Sequence, residues 1–226
     1  MLGRNQSFRA TYVARPPGKL RFSRIELQQI GISILVLSLA FTIFFTDPLY
    51  GEFNPYKFAF FFGVSLVAVV TGFAFHEMAH KLLAQKYGCW AEFRMSSFGL
   101  LFALVTAFLG FIFAAPGAVH ISGRITKEQS GKISVAGPMT NAAVGGAFLA
   151  LTFAFAVFAP DWFWVPWTIA FINLILGAFN MIPFPPFDGS KVLSWNIGVY
   201  ALAVAVVGTL LATAWFFRDI LFILGL

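Results

Sequence analysis

Five apolar runs, at about 27–46, 57–87, 133–159, 162–182 and 193–217, dominate this 226-residue chain. A hydrocarbon core about 30 Å thick takes roughly twenty helical residues to cross, and every run is that long. Backbone in lipid must satisfy its own hydrogen bonds, which leaves helices and closed barrels, and runs of this length select helices. The stops between them are Asp47-Pro48, Gly88, Pro160-Asp161 and the prolines at 183, 185 and 186. Only 11% of the residues are charged, against about 25% in a soluble domain. The sequence therefore predicts an all-α polytopic membrane protein.

A sixth apolar stretch, 99–116, either crosses as well, giving six spans, or forms a re-entrant or interfacial insertion. Lysine and arginine collect on the cytoplasmic side of membranes, and their placement favours the insertion. Arg4, Arg9, Arg15, Lys19, Arg21 and Arg24 precede the first acid, Glu26, so the N-terminus reads as cytoplasmic. Lys81, Lys86 and Arg94 lie before the stretch, and Arg124, Lys127 and Lys132 lie after it. Both flanks then belong on one side, and only Lys57 and Arg218 remain outside. Residues 90–94 and 118–122, which frame the insertion, are candidate short strands, a small β element. The expected organisation is a basic cytoplasmic tail, 1–24, and a single transmembrane domain, 25–226. A net charge of +6, concentrated beside the first span, suits orientation and anionic lipid better than nucleic acid. The expected partners are the lipid bilayer and a transmembrane protein substrate, with no nucleic acid; oligomeric state stays open. No cleavage signal follows the basic region, and a single cysteine, Cys89, allows no internal disulfide.

Within the second run stands His76-Glu77-Met78-Ala79-His80. An acid at the centre of a transmembrane helix costs about 2.5–3.5 kcal/mol, so such residues usually mark function. On a helix, His76 and His80 share one face and suit two positions on one Zn²⁺. Glu77 lies about 100° further round, beside such an ion and free to move a proton. A catalytic zinc usually takes three protein ligands. Among the remaining acids, only Asp188 has a context that explains burial at membrane depth: Asn180-Met181-Ile182-Pro183-Phe184-Pro185-Pro186-Phe187-Asp188-Gly189. The prolines forbid a regular helix, so the chain unwinds there and needs polar partners. Gly189 is expected to allow a sharp turn that aims Asp188 inward. His120 reads as a strand or interface residue rather than a ligand. Asn141 either reaches toward the site or glues helices together among Gly145 and Gly146, and Asn173 reads as glue.

HExxH on one apolar run, NxxPxxxxDG at the end of a later one, and Gly137-Pro138-Met139-Thr140-Asn141 between them resemble the site-2 protease family of intramembrane metalloproteases, peptidase family M50. The resemblance covers about residues 65–191. It implies one Zn²⁺ held by His76, His80 and Asp188, with Glu77 as general acid/base and Asn180 helping to hold the scissile region. The implied activity is hydrolysis of peptide bonds within or beside transmembrane segments, by a multi-pass protein of a prokaryotic cell membrane. The chain departs from the family pattern in its long 99–116 insertion and in Ser190-Lys191, where many relatives have glycine and arginine. Two other classes remain: a membrane metal transporter, and a proteolytically inactive protein that binds transmembrane helices. The first needs further acids or histidines along a path, which the sequence lacks; the second has no need of Glu77.

Overall fold

The structure is a computed structural model that describes the backbone of residues 20–47 and 53–224, with side chains as far as 217. Arg4, Arg9, Arg15 and Lys19 of the basic tail, and the Arg218 side chain, lie outside the described residues.

Helix α1 (Arg24–Thr46) begins where the Ser23 hydroxyl accepts from the Glu26 amide. Asn54 caps α2 (Pro55–Val69) in the same way, and Pro55 supplies the preset φ of a first turn. Helix α2 passes without a break through a π-helical turn, Val70–Ala74, into α3 (Phe75–Lys86), which carries the HExxH residues. Next come β1 (Trp90–Met95), helix α4 (Ser97–Phe108) and β2 (Gly117–Ser122). Thr126 and Gln129 then form a reciprocal capping box at the start of α5 (Lys127–Phe158). Helix α6 (Trp164–Asn180) leads into the proline-rich stretch 181–187, followed by α7 (Asp188–Trp195) and α8 (Ile197–Leu224).

Five of these rods are long and apolar enough to cross a membrane: Arg24–Thr46, Pro55–Lys86, Lys127–Phe158, Pro160–Asn180 and Ile197–Phe217. The chain is a polytopic, largely helical membrane protein with a small sheet. The fifth predicted run is interrupted: Asn196 is extended and its Oδ1 accepts from the Val199 amide, which starts a fresh helix. Helix α4 has twelve residues, about 18 Å at the helical rise, too short to cross. Strands β1 and β2 flank it and pair antiparallel, Trp90 opposite Ser122 through to Met95 opposite Gly117. The insertion therefore returns to the point it left, as the basic flanks predict.

The sheet has one edge occupied and one open. The Ser96 amide donates to Pro116 O at 2.8 Å, which fixes the parity of the ladder. Main-chain groups of residues 91, 93 and 95 thus face away from β2, and helices meet them. Phe93 N–H donates to Glu26 Oε1 at 3.0 Å, Met95 N–H donates to Gln29 Oε1 at 3.1 Å, and Ala91 O accepts from Lys81 Nζ at 3.0 Å. By the same parity, Gly117, Val119 and Ile121 turn their main chain away from β1, and no strand among the described residues pairs with them. Lys81 also donates to both Glu26 oxygens, at 2.7 and 2.6 Å, in a fully buried pair that ties α3 to α1. Losing either partner would strand a buried charge, at a cost of about 3–5 kcal/mol. Around this anchor, Leu37, Phe41, Val64, Ala68, Phe73, Phe93, Leu100 and Ile172 form the main apolar core.

Candidate metal centre

Helix α3 meets α5 and the start of α7, and at that junction three side chains converge. His76 Nε2 lies 2.9 Å from His80 Nε2, and Asp188 Oδ2 lies 3.4 Å from the first and 2.9 Å from the second. All three residues are buried. The protons on the imidazoles can be assigned from their other nitrogens. His80 Nδ1 is 2.8 Å from Ile133 O, a main-chain acceptor, so the proton sits on Nδ1. Asn141 donates its Nδ2 hydrogens to Gly72 O and Asn173 O, both at 3.0 Å, which turns its Oδ1 to His76 Nδ1 at 2.8 Å. His76 must therefore also carry its proton on Nδ1.

With both imidazoles neutral in these tautomers, two lone-pair nitrogens and a carboxylate oxygen face one another. Three buried acceptors in that arrangement repel unless a cation stands among them. Donors held tetrahedrally about 2.0–2.1 Å from a zinc ion are about 3.3 Å apart, and the observed separations match that scale. The trio fits one divalent ion. Asp188 Oδ1 faces away, toward Lys191 Nζ at 3.4 Å.

Two glycines make the junction close enough. A Cβ on Gly137 would stand 2.5 Å from His80 Nε2 and 2.6 Å from His76 Nε2. Gly137→Ala should therefore weaken zinc affinity by about 10- to 100-fold, the scale seen when groups around a ligand are disturbed. Metal analysis after dialysis against a zinc buffer checks it. Gly189 departs from expectation. It lies within α7 rather than in a sharp turn, and its lack of a Cβ is needed because Met181 O would be 2.3 Å away. That contact seats α7, and so Asp188, against the end of α6.

Glu77, 8% exposed, sits beside the trio without belonging to it. Its Oε2 is buried with no hydrogen-bond partner among the described residues. The main-chain N–H of Val119, on the outer edge of β2, donates to the same carboxylate. Glu77 thus stands between the acceptor cluster and the outer edge of β2.

The chain is 40% identical over 186 residues to "Putative zinc metalloprotease MJ0611" of Methanocaldococcus jannaschii, a match covering 80% of this chain and 90% of that protein. The chain belongs to that zinc metalloprotease family. Rip3 of Mycobacterium tuberculosis, of the same designation, is 30% identical over 166 residues, 71% of this chain and 38% of its own. YwhC of Bacillus subtilis, also so designated, is 28% identical over 152 residues, 57% of this chain and 66% of its own. No family model and no solved structure matches the chain.

Of the residues singled out from sequence, His76, His80 and Asp188 come together and Glu77 adjoins them. Asn180 stands apart: its Nδ2 donates to Leu176 O on its own helix at 2.9 Å. Asn141, left open between two roles, turns its amide oxygen to a histidine of the trio. His120 is exposed on β2, opposite Glu92 and away from the cluster. The Ile133 carbonyl and Gly137 are parts of the site that no sequence signal picked out as contacts of the histidines.

Proposed function

We propose that the protein is an intramembrane zinc endopeptidase of the site-2 protease type, peptidase family M50, that hydrolyses peptide bonds within or beside transmembrane segments. The observation that carries this reading is the position of Glu77 between the three-acceptor cluster and the open edge of β2. Zinc held by His76 Nε2, His80 Nε2 and Asp188 Oδ2 would supply Lewis acidity toward water and toward a peptide carbonyl.

The chain's own residues account for the remaining work. Asn141 Oδ1 and Ile133 O keep both imidazoles in the tautomer that offers Nε2. Glu77 takes a proton from water at a carboxylate oxygen and delivers it to the nitrogen of the leaving amine. A helical substrate hides its carbonyls, so it has to unwind before attack. The outward main-chain groups of Gly117 and Ile121, with the Val119 carbonyl, offer such a segment an edge to pair with, which would lay it beside Glu77. The unwound 181–187 stretch supplies polar backbone on the approach to Asp188. Under this reading the bilayer of a prokaryotic cell is the protein's solvent, with the N-terminus cytoplasmic, and a transmembrane protein is its substrate.

The test is cleavage of single-span proteins by the purified protein in liposomes, with the new termini read by mass spectrometry. Cuts should fall inside the span or within about one helical turn of its end. They should cease with a zinc chelator and resume with added Zn²⁺. Zinc uptake into the vesicles without any cleavage would favour transport instead and overturn the proposal.

A further inference from the structure

The His76 contact with Asn141 is the end of a longer buried chain of hydrogen bonds. Asn141 has two amide hydrogens, and the carbonyls that orient them come from different places: Gly72, inside the π-helical turn, and Asn173, on α6. The π turn is where the Phe75 amide reaches back to Val70 O. One extra residue per turn rotates everything after it by about 100° relative to α2. His76 and His80 follow directly, so their direction depends on that turn keeping its shape.

A side chain outside the metal cluster grips the turn. Asn173, fully buried, donates from Nδ2 to Thr71 Oγ1 at 3.1 Å and to Ile169 O at 2.8 Å. The Thr71 hydroxyl in turn donates back to the α2 carbonyls of Val67 and Ala68, at 2.8 and 3.1 Å. Asn173 Oδ1 is buried without a partner among the described residues. A side chain whose task was only to fill space between α6 and the turn would be apolar, because an unpaired buried amide oxygen is costly. We infer that Asn173 is a positioning residue for the His76 ligand, acting through Thr71 and the π turn on Gly72 O and thence on Asn141. It is not a catalytic residue: it touches neither substrate nor the converging ligand atoms.

This inference rests on the proposed metal site, and its test separates the two. Thr71→Val keeps the shape of the side chain but removes the oxygen that Asn173 reaches; Thr71→Ser keeps the oxygen. Zinc loss to a chelator should be about tenfold faster in Thr71→Val and in Asn173→Ala than in wild type, and within about twofold of wild type in Thr71→Ser. The visible absorption bands of the Co²⁺-loaded protein should shift in Thr71→Val and be restored in Thr71→Ser. Metal-free Thr71→Val should still unfold in one cooperative transition, lowered only by the Asn173 donor it leaves unpaired, which excludes general loosening. Zinc loss and Co²⁺ bands like wild type in Thr71→Val would overturn the inference, whatever Asn173→Ala does. A wild-type protein that takes up neither ion would overturn the metal site together with it.

Discussion

Replacing Glu77 with glutamine should reduce cleavage by about 10³-fold or more while leaving one zinc bound per chain. The two halves of this expectation come from different atoms. The converging ligand atoms belong to His76, His80 and Asp188, at 2.9–3.4 Å from one another. Glu77 contributes none of them, so metal affinity should be unchanged within about twofold, well inside the 10- to 100-fold loss that disturbance around a ligand produces. A general base in this position is worth about 10²–10⁴ in rate, and the amide has no proton to exchange at neutral pH. Stability should hold or rise, because Oε2 is a buried oxygen without a partner and a neutral amide costs less to bury than an anion. Metal analysis, a cleavage time course and a melting curve on one preparation settle all three. Wild-type cleavage by Glu77→Gln would sink the hydrolytic role of Glu77, and loss of zinc would show that Glu77 belongs among the ligands.

The parts of this protein that were legible in its sequence are those set by long-range averages or by rigid local rules. A run of twenty apolar residues can do little else in lipid, and the spans follow their predicted bounds, apart from the third, which begins six residues earlier at Lys127, and the break at Asn196. The basic flanks of 99–116 gave its return to one side, and the paired strands enforce it. His76 and His80 share a face because both stand in α3, past the π turn, where helix geometry leaves no alternative. What could not be read was anything decided by the approach of two distant elements. Nothing marks Ile133 as the acceptor for His80, since a backbone carbonyl has no sequence signature. Asn141 was undecided because an asparagine between helices serves equally as glue or as a ligand's partner; only the direction of its amide, fixed by Gly72 O and Asn173 O, decides it. The π turn had no signal at all, for Val70-Thr71-Gly72-Phe73-Ala74 reads as ordinary apolar helix. Gly189 was correctly picked out and wrongly explained: its backbone is helical, and the need is for room beside Met181 O.

Asp188→Asn should show the opposite signs of effect with and without metal, which distinguishes a ligand from a structural carboxylate. In the absence of an ion, and at a pH where both imidazoles are neutral, the aspartate places an anion 2.9 and 3.4 Å from two lone-pair nitrogens, each held in that tautomer by its other nitrogen. An asparagine can turn its NH₂ toward those nitrogens and convert repulsion into hydrogen bonds, so the metal-free variant should be the more stable of the two. The Lys191 contact at 3.4 Å that the substitution weakens involves a half-exposed ammonium and offsets little of this gain. With zinc present the order reverses. Wild type at a free zinc level 100 times its dissociation constant gains about 2.7 kcal/mol from binding. The variant has lost the one charged donor of three, and its affinity should fall by at least about 10²-fold, leaving almost no stabilisation at the same zinc level. Melting curves with and without zinc therefore cross between the two proteins. A carboxylate that merely tied α7 to α3 would behave otherwise: its loss would destabilise the protein equally in both conditions, and zinc would shift both melting points alike.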